Sequence, residues 1–190
     1  MEYRWFYTSS GKKVLAGKNS RQNEELVHKM LKSGKNYIVM HTKNPGSPFC
    51  FIICNADKVK PQDLHETAIF CGSFSQQWKT NKTAIVDSFL LQQMVKDEKM
   101  KEGTFGVVGS DKSTQHSVEL RLVLTRQNKK IRAVPPSAAE ERFLILTPGK
   151  LDKDKTAEKI QEILRKKGLK VDKDAILQAI PSGGFSINDQ

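Results

Sequence analysis

From Val118 to Leu124 the apolar side chains fall at every second position, with Glu119 and Arg121 between Val118, Leu120 and Leu122. A period of two belongs to a strand that has one face in a core and the other in water. This run is the clearest β signal in the chain, and Gln127-Asn128 turns it into a return strand at 130–134. The chain also opens on a hairpin pattern: aromatic, β-prone 4–8, turn residues Ser9-Ser10-Gly11-Lys12, and an extended stretch at 13–16. The period then changes. Leu26, Val27, Met30 and Leu31 lie one, three and four apart, which predicts a helix after Gly17-Lys18-Asn19-Ser20, with Asn19 or Ser20 as its cap. Short strands are expected at 36–41 and 48–54, around the turn residues Lys43-Asn44-Pro45-Gly46-Ser47.

Pro61 suits the first turn of a second helix, expected to run to about Trp78 with Leu64, Ala68, Phe70, Cys71 and Phe74 mostly inward. Strands follow at 83–91 and 103–108, separated by a charge run, 96–102, that reads as a solvated loop. Pro135-Pro136-Ser137 reads as a boundary. Beyond it come a strand at 143–146, a turn at Thr147-Pro148-Gly149 and a helix at 154–167, with Ile160, Ile163 and Leu164 inward and Gly168 as its stop. A shorter helix is expected at 174–180, ending at Pro181-Ser182-Gly183-Gly184, and no internal repeat is visible. The predicted class is α+β: a mainly antiparallel sheet with two packed helices, plus a small helical C-terminal extension. The predicted domains are 1–136 and a strand-helix-helix unit at 137–190.

Composition narrows the partner. Among 190 residues, 32 Lys and Arg face 21 Asp and Glu, a net charge of +11, which favours polyanions and excludes an acidic tail. The apolar stretches are too short to span a bilayer, and Trp5 and Phe6 stand beside Arg4 and Glu2 where a leader would need an apolar core. Three cysteines are an odd count and too few for a disulfide framework. A soluble, cytoplasmic protein is expected, with nucleic acid favoured over membrane because no basic amphipathic anchor helix stands out.

Assembled chemistry is harder to find. Cys50 and Cys54, with His41 and His65, lack the paired short spacings of a structural zinc site; Phe51-Ile52-Ile53 between the cysteines makes buried thiols the better reading. Cys71 falls on an apolar helix face, and no Gly-x-Ser-x-Gly elbow or Gly-x-Gly-x-x-Gly is present. The segment from Gly106 to Asp111-Lys112-Ser113-Thr114 lacks the glycine before its lysine that a phosphate loop needs. No cofactor, metal or catalytic set is expected. What does accumulate is cations at turns: Lys12, Lys13, Lys18 and Arg21 around the first hairpin and helix start, and Arg121, Arg126, Lys129, Lys130 and Arg132 around the later hairpin. A helix N-terminus adds exposed N–H groups to the first cluster. Trp5, Tyr7 and Trp78 are candidate stacking platforms, although aromatics on a hairpin are more often core.

Three blocks go beyond generic pattern: Tyr7-Thr8-Ser9-Ser10-Gly11, Gly17-Lys18-Asn19-Ser20-Arg21-Gln22-Asn23-Glu24, and His41-Thr42-Lys43-Asn44-Pro45-Gly46-Ser47. They closely resemble the NFACT-R domain, the RNA-binding module of the NFACT proteins of ribosome-associated quality control. Its signature is a Ser-Ser-x-Gly strand, a Gly-[Lys/Arg]-[Asn/Asp]-x-x-Gln-Asn-Glu helix start and a His-[Ala/Thr]-Lys-Asp-x-Pro-Gly-Ser-His turn. The resemblance covers about residues 3–110, extending more weakly toward 134. Here the turn is one residue shorter, Asn44 stands for the aspartate and Pro48 for the final histidine, so nothing that rests on those two groups carries over. The N-terminal, helix-hairpin and coiled-coil regions of full-length NFACT proteins have no counterpart among these residues. The resemblance therefore implies a free-standing NFACT-R protein without the tailing activity of the family.

Within the helix-start block, Gln22, Asn23 and Glu24 can bond free N–H groups or hold the neighbouring turn. Glu24 is expected either to partner Ser20 or Arg21 as a cap or to touch ligand. His41 and Lys43 would offer imidazole and cation to a phosphate or base. The leading expectation is a non-enzymatic protein that contacts tRNA or ribosomal RNA, mostly through phosphates, on or near the large ribosomal subunit. Its expected contact residues are Arg4, Lys12, Lys18, Arg21, Gln22, Asn23, His41, Lys43, Lys79, Arg121, Lys129, Lys130 and Arg132. One alternative is an adaptor that recruits a protein partner to the ribosome or to a tRNA-modifying enzyme, through Ile176, Leu177 and Ile180. Another is catalysis on RNA, with His41 and His65 as acid and base in one cleft.

Overall fold

The computed structural model describes residues 2–109 and 113–189; Asp111 and Lys112 of the rejected phosphate-loop segment lie outside them. The opening hairpin is β1 (Arg4–Tyr7) and β2 (Lys13–Ala16), with Gly11 at φ +80° in its turn. Helix α1 (Ser20–Lys32) follows, and Asn19 is its cap: the side-chain oxygen accepts from Gln22 N–H at 2.9 Å. Next come β3 (Ile38–Thr42), β4 (Cys50–Ile52), α2 (Pro61–Ser73), α3 (Gln77–Thr80) and β5 (Thr83–Leu90). The short pair β6 (Met94–Val95) and β7 (Gly106–Val107) precedes β8 (Thr114–Glu119), β9 (Leu122–Gln127) and β10 (Lys130–Val134). The chain then continues through β11 (Leu144–Leu151), α4 (Lys153–Lys166), α5 (Lys173–Ala179) and β12 (Phe185–Asp189).

Six strands form one sheet in the order β1-β2-β4-β3-β5-β8, and four form a second in the order β10-β9-β11-β12. Every described pairing is antiparallel, so the fold is α+β, as the two hydrophobic periods predict. The first sheet is covered on both faces. Leu26, Val27 and Met30 of α1 pack with Val39, Phe51, Phe89 and Leu91 on one side. On the other, Phe6, Met40, Ile52 and Val86 join Ala68 and Phe70 of α2 in a core that continues through Leu122, Leu124 and Leu144 to Ile160, Leu164, Ile176 and Ile180. Pro135 and Pro136 connect two strands of the same second sheet.

Four sequence expectations need correction. The 118–124 run is not one strand: Glu119 closes β8 of the first sheet and Leu122 opens β9 of the second. Leu120, wholly buried at the corner, bonds its N–H to Lys82 O at 2.8 Å, so the alternation persists while the strand changes sheets. The helix expected to reach Trp78 breaks at Phe74. There Ser75 Oγ donates to Gly72 O at 2.7 Å and accepts from Gln77 N–H at 3.0 Å, giving the backbone a competing partner that ends α2 and starts α3. The turn expected at 147–149 lies inside β11, whose register with β12 shifts between Pro148 and Leu151 as a bulge, and β12 itself was not anticipated. Finally, Ile176 and Ile180 are wholly buried and Leu177 packs beside them, so the surface expected to dock a protein partner faces the core.

Candidate nucleic-acid interface

The N-terminus of α1, the β3–β4 turn, the α2–α3 junction and the loop at 102–105 surround a cleft of about 620 Å³. Its floor is the first sheet, where His41 of β3 stands opposite Asp87 of β5, with Phe89 beyond. Arg4, Lys18, Lys43 and Lys79 also line it. The sequence brings these groups together through local bonds. Thr42 N–H donates to Ser47 Oγ at 2.9 Å and Thr42 Oγ1 to Asn44 O at 2.6 Å, folding the turn back on itself. Gly46, at φ +101°, accepts from Gln76 N–H at 2.9 Å; a Cβ there would fall 2.6 Å from Gln76 Cγ, so this turn needs glycine.

Across the cleft, Gln22 is buried and its Oε1 accepts from Lys18 N–H at 3.0 Å, holding the strand-to-helix bend. Glu24 does not cap the helix and does not line the cleft. It accepts from Lys96 Nζ at 2.8 Å, Gly103 N–H at 2.6 Å and His28 Nε2 at 3.1 Å, tying the far loop onto α1. Burial alone would raise the Glu24 carboxyl, and those three bonds hold it below its usual range. Gly103, at φ +76°, lies against the Ser20 backbone, where a Cβ would come within 2.7 Å. The charge run at 96–102 is a mostly exposed loop, as expected, and Lys96 and the adjoining Gly103 pin it to α1.

Several groups in the cleft lack partners. Arg4 donates Nη1 to Gly17 O at 3.0 Å and lies 5.0 Å over the Phe74 ring, yet its buried Nε has no acceptor and no carboxylate pairs with it among the described residues. Burial pulls its pKa down. Lys18 is half-buried and likewise makes no ion pair among the described residues; burial first, and Arg4 second, lower its pKa against an opposing pull from Glu2. Asn23 Oδ1 and Asp87 Oδ1 are shut from water with no donor. His41 donates Nδ1–H to Thr42 O at 2.7 Å and packs against Phe49 at 4.7 Å, and burial keeps its pKa below 6.5. Phe105 meets Phe49 edge-on at 5.7 Å, with Lys96 Nζ 4.8 Å over its face.

Of the expected contact residues, Arg4, Lys18, Asn23, His41, Lys43 and Lys79 line the cleft, and Gln22 supports it from behind. The others lie elsewhere. Arg21 pairs with Glu25 at 3.0 Å on the exposed side of α1, and Arg121 is exposed at the corner between sheets. Lys129, Lys130 and Arg132 line a separate groove with α5. Lys130 and Arg132 share Glu2, at 2.8 and 3.4 Å; the Lys130 and Trp5 hydrogen bonds bring Glu2 down to about 2. His65 is exposed on α2 and does not line the cleft, so the acid–base pair with His41 is not assembled. Neither tryptophan is a stacking platform. Trp5 is 8% exposed beneath the Arg132 guanidinium, 4.1 Å away, and Trp78 is 1% exposed with its indole N–H on Gly184 O. Among the described residues, no three His, Cys, Asp or Glu side chains gather as a metal site.

The Thr8-Ser9-Ser10 block lies away from the cleft, near Lys12. Asp63 of α2, fully buried, accepts from Thr8 Oγ1 and Ser10 Oγ, both at 2.6 Å, and from Lys60 N–H at 2.9 Å. Glu66 accepts from Ser9 N–H at 2.8 Å, Gln62 Nε2 at 3.0 Å and Ser137 Oγ at 2.7 Å. Sequence reasoning missed both acids, whose signal was their i, i+3 spacing in a helix begun by proline. It missed Asp87 too, a lone charge on the β5 face that carries Ile85 and Phe89.

Residues 2–109, more than half of the chain, match the family described as NFACT protein RNA binding domain. No curated protein matches the chain. Among solved structures, the C-terminal part of the fibronectin/fibrinogen-binding protein from Streptococcus suis is similar, with a TM-score of 0.55 and 22% identity. The likeness covers 63% of this chain and 45% of that one, and at this identity it speaks to the fold alone.

Proposed function

The chain belongs to the NFACT protein RNA-binding domain family, and from that premise we propose that it binds structured RNA, tRNA or ribosomal RNA, with its phosphates held at the cleft mouth. In this reading the protein works by binding rather than catalysis, in the cytoplasm, within translation or ribosome-associated quality control. The observation that carries it is the Arg4–Lys18 pair. Arg4 and Lys18 line the cleft together, neither forms an ion pair with a carboxylate among the described residues, and Arg4 lowers the Lys18 pKa more than Glu2 raises it; an anion relieves such a pair. Lys43 and Lys79 extend the same potential along the exposed side.

Phosphate-led binding has a signature: affinity falls steeply with salt and depends modestly on sequence. Fluorescence anisotropy with tRNA, an rRNA fragment and duplex DNA at several salt concentrations tests it. The reading predicts tight, salt-sensitive binding to structured RNA that survives competitor DNA. Equally weak binding to all three would make the net charge a matter of solubility.

A further inference from the structure

The cleft is cationic where Lys43 and Lys79 open to solvent, but its floor holds a carboxylate. Asp87 accepts no hydrogen bond from any described residue, and its Oδ1 is shut from water. A phosphate is repelled there. What reaches the floor must therefore be the uncharged part of a nucleic acid, and it must bring N–H donors. Around Asp87 the lining is aromatic: Phe89 and Phe49 are buried beneath it, and the half-buried rings of His41, packed on Phe49, and Phe105, edge-on to Phe49, are the ones that remain partly open. The His41 ring N–H is already engaged with the turn carbonyl of Thr42, so it does not answer the carboxylate. A volume of about 620 Å³ is that of a small-ligand pocket, more than a surface phosphate contact requires.

Resting on the RNA-binding reading above, we propose that the floor of the cleft is a nucleobase subsite: one unpaired base enters, and its donor edge is read by Asp87. Guanine fits best, because N1–H and the N2 amine present two adjacent donors that can converge on the one Asp87 oxygen open to the cleft. Adenine and cytosine offer one amine next to a ring acceptor. Uracil flanks its single N–H with two carbonyls, which face the carboxylate unfavourably. Single-stranded RNA is commonly recognised in this way, by splayed bases held against aromatic side chains and hydrogen-bonded at their edges. The cations at the mouth then hold the flanking phosphates, so position and identity are read by different ends of one cleft.

The test uses the full chain and five-residue RNAs of sequence UUNUU, with N as guanine, inosine, adenine, cytosine or uracil, followed by anisotropy. The wild type is expected to bind the guanine RNA about tenfold more tightly than the uracil RNA, with inosine, which lacks the N2 amine, between them. Asp87→Asn keeps the shape and should shrink that preference to about twofold or less, by weakening the guanine RNA and relieving the repulsion of the uracil carbonyls. Should this variant fail to fold, the guanine-to-inosine difference in the wild type carries the test. Equal affinity for all five RNAs, or a guanine preference that survives Asp87→Asn, overturns the subsite while leaving tRNA binding in place. If neither these RNAs nor tRNA bind, the RNA reading itself falls.

Discussion

Two polar clusters in this protein are made of similar residues and end in opposite states. Where the first hairpin meets α2, Thr8, Ser9 and Ser10 deliver their donors to Asp63 and Glu66, and each acid accepts three hydrogen bonds. Around the cleft, Arg4 Nε, Asn23 Oδ1 and Asp87 Oδ1 are left without partners among the described residues, and Lys18 makes no ion pair there. The first cluster is closed and belongs to the fold. The second lies beside a cleft and is left incomplete by the described residues. A buried polar group that is satisfied rigidifies a structure, whereas one left unmet is either a cost or a contact in waiting.

The contrast is broken most severely from the closed side. Asp63→Ala strands three donors in a buried site and is expected to cost about 3 kcal/mol in chemical denaturation, while the folded protein keeps RNA affinity within about twofold. From the open side, Lys18→Glu with Lys43→Glu should weaken tRNA binding by roughly thirtyfold and flatten the salt dependence by about two charges, with stability within about 0.5 kcal/mol of the wild type. Stability measured against pH should separate the regions again. Burial lowers the pKa of His41, and of His116, below 6.5, so their share of stability is present above that value and is lost as pH falls through their folded pKa values. For Asp63, burial pushes the carboxyl up but the Ser10, Thr8 and Lys60 bonds outweigh it; its share holds above 3.8 and is lost only in stronger acid. Removing the hairpin cation is expected to matter least. Lys130→Ala should change RNA affinity by less than about threefold, because its ammonium is already paired with Glu2 and lies in a different groove.

The helix start at Asn19 and the glycine-bearing turn at Gly46 were legible in sequence because capping and positive φ are local demands. Their convergence was legible only through the family resemblance. Arg4, Lys18, Lys43 and Lys79 meet because β1, α1, the β3–β4 turn and α3 come together across strand crossovers that no local pattern encodes. The same long-range pairing hid the corner at Leu120–Arg121, where one uninterrupted alternation serves two sheets. It also hid the tie at Gln127, which accepts from Tyr7 N–H at 2.8 Å and donates to Tyr7 O at 2.9 Å, closing the free edge of β1. Charge alone singled out the later hairpin, and it could not show that Glu2, far away in sequence, neutralises part of its cations.

The most direct measurement is ultraviolet cross-linking of the full chain to 4-thiouridine-labelled tRNA, with the linked peptides identified by mass spectrometry. The account predicts cross-links within 17–23, 41–49 and 102–105, the segments that meet at the cleft. Cross-links confined to 126–132 and 170–178, the other basic groove, would contradict it.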